Sequence, residues 1–168
     1  NAADYREAGK LLTTLRPHIS YFHSSQYIND LANGDICVAV GWSGDVMQAA
    51  ARAAAAKNGV KDDYVSPKEG ALVFYYMLAI PADAKHPENA HAFMNYLMRP
   101  EVIAKISNYV SYASANEASL PMVDDVLRNN PNIYPPAELK AKMFALKVLP
   151  AKINREITRE WTKVKIGK

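Results

Sequence analysis

Two stretches of this chain read as buried β-strands, and two are too few for the sheet they imply. Residues 36–41 open with Ile36-Cys37-Val38-Ala39-Val40, and a second apolar run extends from about Leu72 to Ile80. Continuous apolar runs of this length between turn residues are the signature of strands covered on both faces. A shorter strand-like piece covers His18 to Phe22. The rest of the chain predicts helices, at 4–16, 27–32, 45–57, 87–99, 100–110, 120–128, 137–148 and 151–164. Their ends are marked by the usual punctuation: Pro17 after the first, Gly34 and Asn58-Gly59 as stops, and Pro87 and Pro100 at first-turn positions where a missing N–H costs nothing. Buried parallel sheets carry more than two strands. The chain therefore reads as part of a larger α/β protein, and because Asn1 is not a biological start, the natural N-terminus is expected upstream.

Charge and apolar content narrow the function classes. The longest apolar run, Ala71 to Pro81, is too short to span a bilayer. The formal charge is +3, and six of the twenty Lys and Arg lie at or beyond Lys152, in a stretch that reads as a cationic amphipathic helix. Without a dense basic block carrying interleaved aromatics, nucleic-acid binding is not expected. His18, His23, His86 and His91 show no zinc-ligand spacing, so no metal is expected. In Gly41-Trp42-Ser43-Gly44 the serine is out of register for a nucleophile elbow, and glycine-rich phosphate loops are lacking. No enzyme activity and no cofactor are expected. Cys37, the single cysteine, sits mid-strand, where it reads either as a core thiol or as half of a disulfide.

One cluster carries recognisable chemistry. Trp42 and Asp45 follow directly on the first strand, in the strand–turn–helix position where α/β proteins bind ligands. An indole face attracts ammonium groups, by about 0.5–2 kcal/mol depending on desolvation, and a carboxylate three residues on can accept a charge-assisted hydrogen bond from the same cation. The alternative is purely structural, with Asp45 capping the helix and Trp42 packing the strand end. Alternation places Phe74 and Tyr76 on one face of the second strand and Tyr75 on the other. These residues line either a core or a cleft. Tyr112, in the polar segment after a helix, is an aromatic in a place where one is less expected.

Several segments, in order along nearly the whole chain, resemble the bacterial periplasmic putrescine/spermidine-binding proteins. They include Ser24-Ser25-Gln26-Tyr27-Ile28, the run from Gly34 to Asp45, Pro67-Lys68-Glu69-Gly70-Ala71, Leu97-Met98-Arg99-Pro100, Ile133-Tyr134-Pro135-Pro136 and Trp161-Thr162-Lys163-Val164-Lys165. The resemblance implies an α/β type II periplasmic-binding-protein fold, two lobes with crossover hinges, of which this chain is the C-terminal half. Residues 1–66 would belong to lobe 2, 67–110 to lobe 1, and 111–168 would form a crossover and C-terminal helices packing mainly on lobe 2. The implied function is periplasmic capture of a putrescine-like polyamine and delivery to the membrane permease of an ABC importer. A polyamine-sensing signalling subunit would have the same fold and site. The residues on ligand-lining positions are Ser24, Trp42, Asp45, Phe74 and Tyr112, with Tyr76 standing where putrescine-binding members carry an acidic residue.

The resemblance also implies that Cys37 pairs with a cysteine in the N-terminal half, as the exported compartment would allow. A non-reduced digest of the mature protein should then yield a cross-linked peptide containing Cys37. Recovery of that peptide only as a free thiol from periplasmic extract would exclude the pairing.

Overall fold

The computed structural model describes residues 1–167. Eight α-helices lie in the described residues: α1 (Ala2–Leu15), α2 (Gln26–Asn33), α3 (Ser43–Ala56), α4 (Pro87–Leu97), α5 (Pro100–Val110), α6 (Asp125–Arg128), α7 (Ala137–Lys140) and α8 (Ala151–Ile166). Short 3-10 helices cover Arg16–His18 and Glu117–Met122. The chain divides into two compact units, one made of residues 1–24 with the chain from Leu146 onward, the other of Ser25–Ala145.

In the first unit α1 and α8 pair. A capping box starts α1: the Asn1 side chain accepts the Ala3 N–H at 2.8 Å, and Asp4 accepts from the Asn1 amino group. Gly9 is the buried residue of α1, and its missing side chain admits Glu160 of α8, whose Cβ would lie 3.2 Å from a Cβ built at Gly9. Glu160 and Val164, one turn apart, form the buried stripe of α8. Phe22 meets Trp161 edge-on at 4.8 Å, and the Arg16 guanidinium lies over Phe22 while its Nε donates to the Lys165 carbonyl in the last turn of α8. The cationic, amphipathic C-terminal helix is present as the spacing predicts.

The second unit is built around α3. Its face toward α2 closes a core of Tyr27, Leu31, Ala32, Val46 and Ala49, while Met47 also packs on a second cluster of Ala104, Val123, Leu127 and Ile133. Gly34, at φ +80°, ends α2 in the left-handed region that the sequence reserves for glycine. Helices α2, α3, α4 and α5 fall where periodicity and the prolines place them, α5 at the predicted bounds.

The strands do not form. Among the described residues, 36–41 and 72–80 form no ladder, and the sole pairing is an isolated parallel bridge between Leu72 and Phe144. Val73 N–H donates to the Phe144 carbonyl at 2.9 Å and Phe144 N–H to that of Ala71 at 3.1 Å. The predicted burial fails with the pairing: Val38 is 86% and Val40 101% exposed, and Cys37 is an exposed free thiol instead of a core one. A strand's backbone polar groups need a neighbouring strand; with none supplied by these residues, the ladder and most of the burial are lost, although Ile36 and Ala39 still pack on the α2–α3 core. The same bridge explains a second difference. The helix predicted over 137–148 stops after Lys140, because Phe144 is drawn into extended pairing with the 71–73 segment.

The α1–α8 pair carries a pH-sensitive link. Glu156 accepts from Arg159 on its own helix and from Arg6 of α1 at 2.9 Å, and these cations, Arg159 foremost, hold its carboxyl down at about 2. A folded-state value below the unfolded one, about 4.3, gives stabilisation that is complete above the unfolded value and is lost as pH falls toward 2. Thermal melts of the full protein should therefore show a steeper loss of stability between about pH 5 and pH 2 than those of Glu156→Gln. Parallel pH profiles for the two proteins would contradict this link.

Candidate functional site

Asp45 stands in the first turn of α3, whose N-cap is Trp42. An acidic side chain there faces the positive end of the helix dipole. Its carboxylate is nevertheless not used to cap the helix: Oδ2 accepts from the Tyr27 hydroxyl at 2.5 Å and Oδ1 from the Tyr112 hydroxyl at 2.9 Å. The Tyr27 oxygen in turn accepts the Trp42 backbone N–H at 3.2 Å. Burial, and next the bond to Asp45, push the Tyr27 phenol up to about 12, and the same causes in the same order raise that of Tyr112. Both phenols are therefore protonated donors at neutral pH.

Two glycines make room for these rings. A Cβ at Gly41 would fall 2.4 Å from the Tyr27 ring, and one at Gly44 2.2 Å from that of Tyr112. Neither ring could keep its place beside a larger residue. Tyr112 is delivered from α5, which ends in a left-handed Ser111 at φ 60°. The loop beyond is tied down by Ser114 N–H donating to the Tyr134 hydroxyl at 3.0 Å and by Asn116 Nδ2 donating to the Met98 carbonyl at 2.7 Å.

A row of aromatic rings continues from this carboxylate. Trp42 meets Phe74 at 4.4 Å between centroids, Phe74 meets Tyr76 at 5.0 Å, and Tyr76 meets Tyr112 at 6.4 Å, all edge-to-face. The row is open to solvent: Trp42 and Phe74 keep over a third of their surface, and Tyr76 is 83% exposed. The Leu72–Phe144 bridge anchors the segment that carries Phe74 and Tyr76, whose rings stand side by side as their two-residue spacing predicts. Rings presenting their faces beside a carboxylate that neutral donors orient without neutralising can hold an alkyl chain and a cationic head.

The structure thus brings together Trp42, Asp45, Phe74, Tyr76 and Tyr112. Ser24 belongs to the other unit and is exposed, and Cys37 lies outside the cluster. Tyr27, Gly41 and Gly44 are the members that sequence reasoning missed. The available signal was Tyr27 itself, a tyrosine four residues before Leu31 on the apolar side of α2, whose hydroxyl needs a partner once buried.

A model of the bacterial extracellular solute-binding protein family matches residues 1–135. The putrescine-binding periplasmic protein PotF of Escherichia coli (strain K12) is 60% identical over 168 residues, covering 99% of this chain and 45% of that protein. The putrescine-binding periplasmic protein SpuD of Pseudomonas aeruginosa (strain UCBPP-PA14) is 49% identical over 168 residues, 100% of this chain and 46% of the relative. A putrescine/agmatine-binding protein of Pseudomonas aeruginosa is 45% identical, over 99% of this chain and 46% of its own length. The chain spans less than half the length of these relatives. These relatives are binding proteins by name, and membership of their family implies a periplasmic-binding-protein fold. With a family model matched over 135 of its 168 residues, this chain belongs to the bacterial extracellular solute-binding proteins.

Proposed function

We propose that this chain is the C-terminal part of a periplasmic receptor that binds a putrescine-like polyamine and hands it to the permease of an ABC importer without altering it. The observation that carries this reading is the Asp45 carboxylate set beside the aromatic row Trp42–Phe74–Tyr76–Tyr112. A polyamine is an aliphatic chain with cationic nitrogens: the rings take the chain by apolar contact and the ammonium by its charge, and Asp45 is the counter-ion. Relatives that bear the names of putrescine-binding proteins support the ligand class.

The α/β, two-lobe form of the fold is part of the same proposal. Its support is the pair of apolar segments at 36–41 and 72–80, largely exposed and outside any ladder but for the Leu72–Phe144 bridge. The remaining half of a longer chain would supply the partner strands, the second wall of the pocket and the cysteine for Cys37. Transport assays in a deletion strain separate this function from polyamine sensing by the same fold, since a sensor alone restores no uptake.

Calorimetric titration of the full-length protein with putrescine tests the site. Trp42→Ala and Asp45→Asn should each weaken binding by about 1–2 kcal/mol, as expected for loss of a cation–π contact or a hydrogen bond to a charged group. Unchanged affinity in both variants would leave the two residues with structural roles only.

Selectivity generates a separate expectation. Tyr76 offers a π face and a neutral hydroxyl, whereas a carboxylate there would favour a compact second ammonium. Tyr76→Asp should therefore raise affinity for putrescine relative to cadaverine, spermidine and agmatine in competition titrations. An unaltered ranking would make Tyr76 a packing residue.

A further inference from the structure

Tyr27 is 5% exposed, and its ring is packed among Leu31, Ala32, Val46 and Ala49. A phenylalanine would fill that space equally well, so the hydroxyl has a purpose other than packing. Burying it costs free energy unless its donor and acceptor capacities are met. Both are met within one turn of α3: the proton goes to Asp45 Oδ2 at 2.5 Å, and the oxygen receives the Trp42 N–H at 3.2 Å. One hydroxyl therefore joins the backbone that carries the indole to the carboxylate three residues away. Trp42 is the N-cap of α3, where its N–H lies outside the helix ladder and free to take this partner.

The choice of donor matters. A lysine or arginine in the place of Tyr27 would orient Asp45 and cancel its charge. A phenol orients it and leaves the negative charge in place. A carboxylate has about four lone-pair positions; Tyr27 and Tyr112 occupy one on each oxygen, so each oxygen keeps a position for a ligand N–H. The rotamer of Asp45 is thereby set before any cation arrives, and preorganisation of this kind raises affinity by sparing the ordering cost at binding.

We infer that Tyr27 is a positioning residue of the cation site, acting through Asp45 and Trp42 without touching the ligand. This rests on the reading of Trp42 and Asp45 as the cation-binding pair. Tyr112 differs from Tyr27 in this respect, because its ring also closes the exposed aromatic row.

A double-mutant cycle on the full-length protein, read by calorimetric titration with putrescine, tests the assignment. Tyr27→Phe keeps the ring in the core and should weaken binding on the order of tenfold, the loss expected for one hydrogen bond to a charged group. In an Asp45→Asn background the same change should cost no more than about twofold. Equal losses in both backgrounds would mean that Tyr27 acts through general stability, overturning the inference. Wild-type affinity in Tyr27→Phe with weakened binding in Asp45→Asn would also overturn it, while leaving the site intact. Wild-type affinity in Asp45→Asn would remove the site and this inference together. Should Tyr27→Phe fail to fold, Gly41→Ala probes the same link, since a Cβ there comes within 2.4 Å of the Tyr27 ring and drives its hydroxyl off Asp45. Unimpaired putrescine binding in Gly41→Ala would likewise overturn the assignment.

Discussion

A half-buried carboxylate must be hydrogen-bonded or its charge is lost, and the Ser25–Ala145 unit is arranged around meeting that demand at Asp45. Its two oxygens are reached from different elements, by Tyr27 of α2 and by Tyr112 of the loop after α5. Each ring needs a glycine beside it, and Gly41 and Gly44 flank the start of α3 for that reason. The carboxylate, two phenols, two glycines and the helix N-terminus thus form one interdependent group. Close packing leaves no slack in it, since an added methyl group at either glycine would occupy space already filled by a ring. Both ends of the aromatic row take their place from this group, because Trp42 is hydrogen-bonded to Tyr27 through its backbone and Tyr112 to Asp45 through its hydroxyl.

The extended segments follow the opposite rule. Residues 36–41 and 72–80 have the composition of buried strands, yet Val38, Val40 and Tyr76 stand almost fully exposed. Sheet formation is a pairing reaction, and apolar residues at alternate or continuous positions supply only one side of it. A chain that spans less than half the length of its relatives presents these edges without the pairing their composition suits. The single Leu72–Phe144 bridge shows how little is needed to direct such a segment: two backbone hydrogen bonds set where the run carrying Phe74 and Tyr76 begins.

In the proposed reading, one carboxylate beside several rings suits the ligand for which the relatives are named. The ring at Tyr76 is the most exposed member of the aromatic row. It extends the aromatic row from Phe74 to Tyr112 with edge-to-face contacts on both sides, so the row is continuous where a charged side chain would interrupt it. Within the proposed polyamine site, such a surface would make this segment one that bears on the choice between amines.

Local rules in the sequence sufficed for much of this. Pro87 and Pro100 open helices at the first turn and Gly34 closes α2, because these residues restrict their own backbone over a few positions and need nothing from elsewhere. Residue chemistry singled out Trp42, Asp45 and Tyr112, and two-residue alternation placed Phe74 beside Tyr76. The partners of Asp45 were beyond that reach. Tyr27 lies 18 residues before it and Tyr112 lies 67 after, and a hydrogen bond requires their hydroxyls within about 3 Å of one carboxylate. Only the packing of α2, α3 and α5 sets such distances. The same holds for the end of α7 and for the exposed segments that read as strands: helical periodicity and strand composition are written in neighbouring residues, whereas pairing at Phe144, and the absence of pairing at 36–41 among the described residues, depend on which distant segments arrive. The sequence by itself determined where most helices begin and which chemical groups stand near α3; the tertiary structure decided where α7 ends and which of those groups meet, because contact is a property of packed segments and not of the residues alone.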